Sequence, residues 1–452
     1  MAFDTLQRQI QHHWREIIKL SSSQNPYLPI SDLPAELLSE VFLYIVESGL
    51  QIEPAGLGTG GTYFGPGTFR FRQVCRRWDK VAVSSPRLWT RWPSSAGWAW
   101  SRFNPRSKNA PIFLTWRPHP LCSTMADPTV PRRIRQLDFH GSHRDLENLL
   151  GGSLDSSLPS NASSIRLHIV PYDEHGPQEH TTNFLFLSFP ELSKLDIKNF
   201  LPDSSSSVFT TSNLVSLKLA IPYDNKNRLT RSQFSQIFQH HSNLQELHLW
   251  KGGMPRLEPP GTSPPSDLPQ LVDLQLHGAD AVIAQFMGFI GMSAHLDNVF
   301  LDFESISTPS PSALAIQEIV TTYYERWGPT NRPHKADRIT ISSGTEGRDP
   351  IFDAGSHPTS NLKLKFGQMD EALVEEICLL FPLNHVCDFI VRGLNLPRGA
   401  YSRILRKMKS LLHLQLDDLD IEPVLGALRY DDQYSGTHMT RGDAQNHLHT
   451  RR

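Results

Sequence analysis

Histidine and cysteine are the residue types in this chain with the most scope for metal chemistry, and their spacing decides whether they could use it. The chain has 20 histidines and four cysteines. The adjacent pairs His12-His13 and His240-His241 diverge on a helix or a strand, so neither pair forms a chelate. No H-E-x-x-H motif and no paired Cys/His zinc spacing occurs in the sequence.

Two smaller groups come nearer to a metal site. Cys378, His385 and Cys387 are close in sequence but lack an evident fourth ligand. The run Asp417-Asp418-x-Asp420 could bind a cation, although a solvated strand end explains it more simply. We therefore predict no metal and no cofactor.

Covalent catalysis finds little support either. No G-x-S-x-G nucleophile elbow occurs. A cysteine-transfer ligase needs an accessible thiol in an activating setting, and Cys75 fits apolar packing on a helix better. The prediction is a protein that is not an enzyme. A hydrolase in an unfamiliar C-terminal domain is an alternative that an acid/base cluster in a deep cleft would support.

The whole-chain numbers exclude several classes of partner. The 452 residues exceed one compact core, 38% are hydrophobic, and the net charge is −2. We therefore predict no nucleic-acid and no membrane partner. Scattered cysteines without a C-x-x-C pair favour a reducing compartment, and the N-terminus has no signal-peptide run. The expected localisation is cytoplasmic and/or nuclear.

The elements that position functional residues begin with a predicted helix over residues 1–20. Its apolar residues recur at alternating three- and four-residue steps, which places them on one stripe: Phe3, Leu6, Ile10, Ile17 and Leu20, with His13 among them. A short docking helix and a self-associating helix both fit this pattern.

Residues 30–92 contain two further helical patterns separated by a glycine-rich stretch at 49–68. The first helix is expected to open at Asp32 or Leu33, with Pro34 in its first turn, and to end at Gly49. In the second, Val74, Cys75, Trp78, Val81 and Ala82 mark one face, and a basic run covers the rest. That run could contact nucleic acid, but a solvated helix face is the simpler interpretation. The glycine-rich stretch lacks the Lys-Ser/Thr of a phosphate loop and is interpreted as a flexible insertion.

These two segments together resemble the F-box. The motif runs Leu-Pro-x-Glu-Leu-Leu-x-x-Ile/Val-Phe, then Val-Cys-x-x-Trp, then Pro-x-Leu-Trp. This sequence supplies, in that order, Leu33-Pro34, Glu36-Leu37-Leu38, Val41-Phe42, Val74-Cys75, Arg77-Trp78 and Pro86-Arg87-Leu88-Trp89. The departure from the family is the glycine-rich insertion. The chain is similar to fungal F-box proteins that carry a leading helix and a repeat-like C-terminal region.

The resemblance implies a small helical fold that docks on the Skp-type subunit of a cullin–RING ubiquitin ligase. It implies that the following residues form the docking surface: Leu33, Pro34, Leu37, Leu38, Val41, Val74, Cys75, Trp78, Pro86, Leu88 and Trp89. So small a unit cannot bury this many large apolar side chains, and an exposed apolar patch marks an interface. The alternative is that they pack against the C-terminal domain, and Phe42 and Trp78 fit a core role best.

A Leu-x-x-Leu-x-Leu pattern recurs through the C-terminal part. It starts at residues 192, 214, 244, 271 and 296, with steps of 22, 30, 27 and 25 residues, and further copies start at 134 and 411. Such steps are typical of leucine-rich repeats, in which each repeat adds one strand to a parallel sheet. Weaker copies are Ile165–Ile169, Arg338–Ile341, Leu362–Phe366 and Asp388–Val391. Helices are expected over Arg231–Gln239 and Ala279–Gly288.

Alternation along these strands predicts which residues face a client protein. The residues between the leucines lie on the open face of the sheet. The candidates are Lys194, Lys218, Glu246, His248, Trp250, Gln275, Phe300 and Gln415. Trp250 and Phe300 are the expected anchors because aromatic side chains dominate interfaces. The alternative is that loops or a C-terminal segment cover this face and bury the two aromatics.

The predicted fold class is α+β, in the form of an α/β solenoid: a helical F-box followed by an irregular leucine-rich-repeat horseshoe. The expected domains are a helix at 1–20, an F-box domain at 30–92, a repeat domain at 110–428 and a disordered tail at 430–452. The expected function is a substrate adaptor of a Skp–cullin–F-box ubiquitin ligase. A leucine-rich-repeat scaffold without a ligase role, with the F-box-like segment as its N-terminal cap, is the alternative.

Overall fold

Leucines at every second position make the strands of this protein, because alternate side chains of a strand point to opposite faces. In a computed structural model of the chain, each of the copies that start at 192, 214, 244, 271, 296 and 411 becomes a strand that begins two residues after the first leucine. The weaker copies at 165, 338, 362 and 388 are strands too. The mixed α/β class with a large, mainly parallel sheet is therefore confirmed.

The structure describes 32–49, 70–93, 103–117, 130–142, 145–146, 161–170, 189–200, 209, 213–221, 228–256, 266–291, 296–303, 313–323, 338–342, 351–356, 360–366, 371–392, 394, 396–417 and 422–432. Isolated positions between 5 and 24 are also described; they are helical and exposed. The predicted glycine-rich insertion and tail lie outside these residues, apart from their first few positions. Two compact units divide the chain, Met1–Tyr172 and Asp173–Arg452.

The first unit joins helices to a small parallel sheet. Its helices are α1 (Ala35–Gly49), α2 (Arg76–Ser84) and α3 (Val130–Arg133), with 3-10 turns at Arg70–Gln73 and Pro86–Trp89. Its strands are β1 (Arg91–Pro93), β2 (Ile112–Trp116), β3 (Ile134–Gly141) and β4 (Ser164–Ile169). The strands pair in sequence order, all parallel.

The second unit is built on a larger sheet. Its strands are β5 (Lys194–Lys198), β6 (Ser216–Ile221), β7 (Glu246–Lys251), β8 (Ser266–Asp267), β9 (Asp273–Gly278), β10 (Ile290–Gly291), β11 (Asn298–Phe303), β12 (Arg338–Ser342), β13 (Ile351–Ser356), β14 (Ser360–Phe366), β15 (Asp388–Arg392) and β16 (His413–Asp417). Its helices are α4 (Arg231–His240), α5 (Asp280–Phe289), α6 (Ala313–Thr321), α7 (Glu371–Leu380), α8 (Arg398–Lys407) and α9 (Glu422–Asp432). A 3-10 turn spans Leu383–His385, and β8 pairs with β10 apart from the large sheet.

The order of strands in the large sheet is β5-β6-β7-β9-β11-β14-β13-β12-β15-β16. Most neighbours are parallel, but β13 runs antiparallel to both β12 and β14. The expectation that each strand continues one parallel array is therefore wrong at this place. Only residues 357–359 separate β13 from β14, too short a connection for the crossover that parallel neighbours need.

The core of the second unit is a set of apolar rows that run across the sheet. Leu195, Leu217, Leu247 and Leu274 stand in register on successive strands and are buried. Each such side chain contributes roughly 1.5–3 kcal/mol by leaving water. The residues between them are less buried along most of these strands, as the alternation predicts.

Helices cover the buried side of these rows. In α4 the apolar residues Phe234, Ile237 and Phe238 are buried, and Phe234 meets Phe286 of α5 at a ring-centroid distance of 5.7 Å. The predicted helices at 231–239 and 279–288 are thus confirmed, each to within about a residue. After β7 the chain turns tightly against β6, and Gly253 is required there because a Cβ would lie 2.5 Å from the Leu219 carbonyl oxygen.

Candidate docking and client-binding surfaces

Helix α1 separates its apolar residues into a buried side and an exposed side. Leu38, Phe42 and Val46 are buried, and the Phe42 ring stacks on Phe71 at 4.2 Å and contacts Trp78 at 5.2 Å between centroids. The exposed side carries Leu37 (53% exposed), Val41 (37%), Tyr44 (73%) and Ile45 (38%). These four residues, spaced i, i+4, i+7 and i+8, form what we call the α1 stripe.

Polar contacts fix α1 against the segments that follow it. The Arg77 guanidinium donates to the Leu33 carbonyl oxygen, and Ser39 Oγ donates to Ser85 Oγ at 2.9 Å. Arg87 lies 2.7 Å from the Glu40 carboxylate. We call the group of α1, α2 and the 3-10 turns at Arg70–Gln73 and Pro86–Trp89 the helical module.

Helix boundaries within this module differ from the expectation. Helix α1 begins at Ala35, and the carbonyl of Pro34 accepts the Leu38 N–H at 3.0 Å. Helix α2 begins at Arg76, with Cys75 in extended conformation as its N-cap. Val74 and Cys75 therefore precede the helix instead of sharing its face.

The residues expected on the docking surface divide by exposure. Pro34, Leu37, Val41 and Val74 are exposed, while Leu33, Cys75, Trp78 and Pro86 are partly buried. Leu38, Leu88 and Trp89 are buried, which corrects their assignment to a surface. Trp89 donates its indole N–H to the Ala82 carbonyl at 2.7 Å and meets Phe103 edge-on, so it serves as core. The core role considered for Phe42 is confirmed.

Two exposed residues, Tyr44 and Ile45, were missed as docking candidates. They lie seven and eight residues after Leu37, which is the helical repeat of the same side. Extending the spacing beyond the motif would have found them.

A second candidate surface is the open face of the large sheet, where side chains link neighbouring strands. Ser216 Oγ donates to Glu246 Oε2 at 2.8 Å, and Lys218 Nζ lies 3.4 Å from the same oxygen, so β6 is tied to β7. His248 Nε2 lies 3.0 Å from Asp273 Oδ2, which ties β7 to β9.

The links continue across the next two strands. His277 Nδ1 of β9 lies 2.9 Å from Asp302 Oδ2 of β11. Lys365 Nζ of β14 lies 3.2 Å from the same oxygen. We call this run the polar ladder; its members are Ser216, Lys218, Glu246, His248, Asp273, His277, Asp302 and Lys365.

Ionisation of the ladder carboxylates follows from these contacts. Burial raises the pKa of Asp273, but the hydrogen bond and charge of His248 outweigh it, so the pKa lies below its ordinary value. For Asp302, burial is likewise outweighed by His277 and Lys365, and the pKa is lowered. The pKa of Glu246 is lowered as well, where the Ser216 hydrogen bond and Lys218 outweigh burial. The carboxylates therefore stay charged at neutral pH.

The residues expected to face a client lie on this side of the sheet with different exposure. Lys194 and Gln415 are exposed, and Lys218, Glu246, Trp250, Gln275 and Phe300 are partly buried. His248 is buried between Asp273 and Trp250, whose ring it meets edge-on at 5.3 Å. That burial corrects its assignment as a contact residue, because its ring supports Trp250 instead.

The sheet of the first unit carries its own polar face. Asp138 of β3 lies between Arg117 at 3.6 Å and Arg166 at 3.7 Å. His140 and His168 of the adjacent strands meet edge-on at 4.2 Å. Burial and the positive charge of Arg117 lower the pKa of His140, which favours the neutral imidazole.

Among the described residues, no group of three or more His, Cys, Asp or Glu is arranged to hold a metal ion. His241 is buried and structural: its Nε2 lies 2.9 Å from the Phe209 carbonyl oxygen and its Nδ1 accepts the Leu214 N–H. Cys75, Cys378 and Cys387 carry free thiols, and burial raises the pKa of Cys378 well above its usual range. Within the part of the chain that the structure describes, no helix is both long and apolar enough to cross a bilayer.

No protein-family model matches the chain, and no curated protein matches it.

Proposed function

We propose that the chain is a substrate adaptor of a Skp–cullin–F-box type ubiquitin ligase. The α1 stripe, together with the exposed Pro34 and Val74, binds the Skp-type subunit. The open face of the large sheet binds a client protein. Catalysis belongs to the partners, and the chain brings a lysine of the client close to the ubiquitin-loaded conjugating enzyme.

The observation that carries the proposal is the α1 stripe. Its four side chains are each more than a third exposed, although the same helix has a complete buried side. Apolar side chains left together on the surface of a small helical module mark an interface. The ordered F-box-like motif around them gives the partner its class.

The client surface is supported by the geometry of the large sheet. Trp250 and Phe300 stand partly exposed beside the polar ladder, on strands two positions apart. The charged groups of the polar ladder pair with one another. The two rings therefore supply the apolar anchors of the surface, and the polar groups around them form its rim.

A binding titration with a purified Skp-type subunit tests the docking claim. Leu37→Arg with Val41→Arg places two charges in the α1 stripe without touching the buried side. We expect a loss of affinity of roughly a hundredfold, as for two interface anchors. Gln236→Arg with Gln239→Arg, at two exposed positions of α4 outside the helical module, is the matched control and should bind as the wild type does.

Equal affinity of the stripe variant and the wild type would exclude the α1 stripe as the docking surface. Circular dichroism spectra of both variants should match the spectrum of the wild type, because the substituted positions are exposed.

A scaffold without a ligase role is the second candidate, and one observation favours it. Strand β1 follows directly from the helical module and pairs with β2, and the Phe113 N–H donates to the Thr90 carbonyl at 2.8 Å. The module is thus continuous with the edge of the first sheet, as an N-terminal cap would be. A capping role predicts that changes in the module lower stability while no Skp-type subunit binds.

A further inference from the structure

Among the described strands the large sheet ends at β16, whose leucines are only partly buried. Among the described strands, β16 pairs with β15 alone. Leu414 and Leu416 are in register with Phe389 and Val391, which are fully buried, yet both leucines remain partly exposed. Leu412, just before the strand, is 72% exposed. Among the described residues, the apolar rows of the core are therefore less completely buried at this edge than on β15.

The helix that follows β16 also has apolar side chains that are only partly buried. In α9, Val424 and Ala427 are buried, whereas Leu425 and Leu428 stay partly exposed. Repeat arrays need a polar cap at their ends, and an exposed edge strand is a template for another strand. Both layers of this last repeat therefore favour a further strand and helix beside them.

The sequence of β16 identifies the strand that fits. It reads His413-Leu414-Gln415-Leu416-Asp417. In antiparallel pairing with a second copy centred on Gln415, position 413 stands opposite the aspartate at 417 of the other chain. Leu414 then stands opposite the copy's Leu416, on the core side of both sheets. Each strand position meets its complement, which is the property of an interface with two-fold symmetry.

We propose that β16 binds a second copy of this chain by antiparallel edge pairing about Gln415. A parallel pairing in register would instead oppose histidine to histidine and aspartate to aspartate, which is unfavourable. A strand of five residues makes a small interface, so the dimer forms and dissociates with concentration. This association does not depend on the adaptor function proposed above.

Sedimentation velocity of the full chain over a wide concentration range tests the proposal. Gln415→Glu and Gln415→Lys each place a charge on the symmetry axis, where it meets its own copy. Each variant alone should dimerise roughly tenfold more weakly than the wild type, because like charges directly opposite destabilise a strand pair. Gln415 is exposed, so neither change should alter the thermal unfolding of the chain at concentrations where the wild type is monomeric.

Mixing the two variants is the decisive arm, since an axis through Gln415 makes the mixed dimer pair glutamate with lysine. The mixture should recover association to within about threefold of the wild type. The matched controls Gln239→Glu and Gln239→Lys, at an exposed position of α4, should dimerise as the wild type does. A wild type that stays monomeric at every concentration, or Gln415 variants that dimerise unchanged, would overturn the proposal.

Discussion

Phe42 and Leu37 lie on different sides of the same helix, Phe42 on the buried side and Leu37 on the exposed side. Phe42 fills the space between Phe71 and Trp78, while Leu37 stands in the α1 stripe. The residue types alone do not separate them, because core and interface use the same apolar side chains.

Phe42→Ala should therefore lower the free energy of unfolding by about 3–5 kcal/mol, through lost apolar burial and the cavity left behind. Leu37→Ala should change it by about 0.5 kcal/mol or less, since the side chain is already half in water. Urea unfolding followed by circular dichroism measures both. Similar losses for the two variants would place Leu37 in the core.

Asp273 and Asp302 give the large sheet a defined acid sensitivity. Because their pKa values in the folded chain lie below the ordinary value, both contribute stability that is fully present above the ordinary aspartate pKa of about 3.9. That contribution disappears as the pH falls through the lowered pKa values of the folded state.

The variant Asp273→Asn with Asp302→Asn lacks those two titrations. The stability advantage of the wild type over this variant should shrink as the pH falls from about 5 to about 3, as urea midpoints would report. Asp267→Asn, at an exposed aspartate outside the polar ladder, is the comparison. A constant advantage across this pH range would mean that the ladder contacts do not stabilise the ionised carboxylates.

At the scale of elements, α4 shows how a helix end is set by two side chains. Thr230 Oγ1 accepts the Gln233 N–H at 3.2 Å, and Gln233 Oε1 accepts the Thr230 N–H at 2.7 Å. This capping box satisfies two groups that the first helical turn leaves open. It holds α4 so that Phe234 and Phe238 reach the core.

Thr230→Ala removes the cap and should cost about 1 kcal/mol of unfolding free energy. Thr230→Ser keeps the hydroxyl and should restore most of that loss. Thermal or urea unfolding distinguishes the two variants. An alanine variant as stable as the serine variant would show that the cap does not stabilise the unit.

Elements could be predicted where one local rule decides them. Alternating leucines placed the parallel strands, since only one face of such a strand can enter the core. Strand β13 could not be placed in this way, because Ile351–Ser356 has no such alternation of leucines and its position depends on pairing with β12 and β14. The antiparallel position of β13 depends on tertiary contacts: the short connection to β14 and the strand edges of β12 and β14 with which it pairs.

At the scale of the whole molecule, the sequence predicted that apolar residues of α1 and the open face of the sheet form surfaces. It did not predict which side chains on them are exposed. The F-box-like motif predicted an apolar docking surface that includes one side of α1, and its binding role stays a prediction. It did not distinguish Leu37 from Leu38, because α1 is apolar on more than one side and the rings of Phe71 and Trp78 decide which side is buried. His248 was likewise expected to face a client, whereas it is buried and contacts Asp273.

The proposed adaptor function assigns one binding surface to each of the two units. In the proposed function, the α1 stripe of the first unit binds the Skp-type subunit, and Trp250 and Phe300 of the second unit bind a client. Keeping these sites on separate compact units lets a change in one leave the other intact, which makes the adaptor account testable by separate variants.

Co-purification of the full-length chain from cells tests the adaptor claim most directly. The wild type should bring down the Skp-type subunit and, through it, the cullin, while Leu37→Arg with Val41→Arg should bring down neither at equal expression. Gln236→Arg with Gln239→Arg should behave as the wild type. Recovery of both ligase subunits with the stripe variant, or of neither with the folded wild type, would contradict the account.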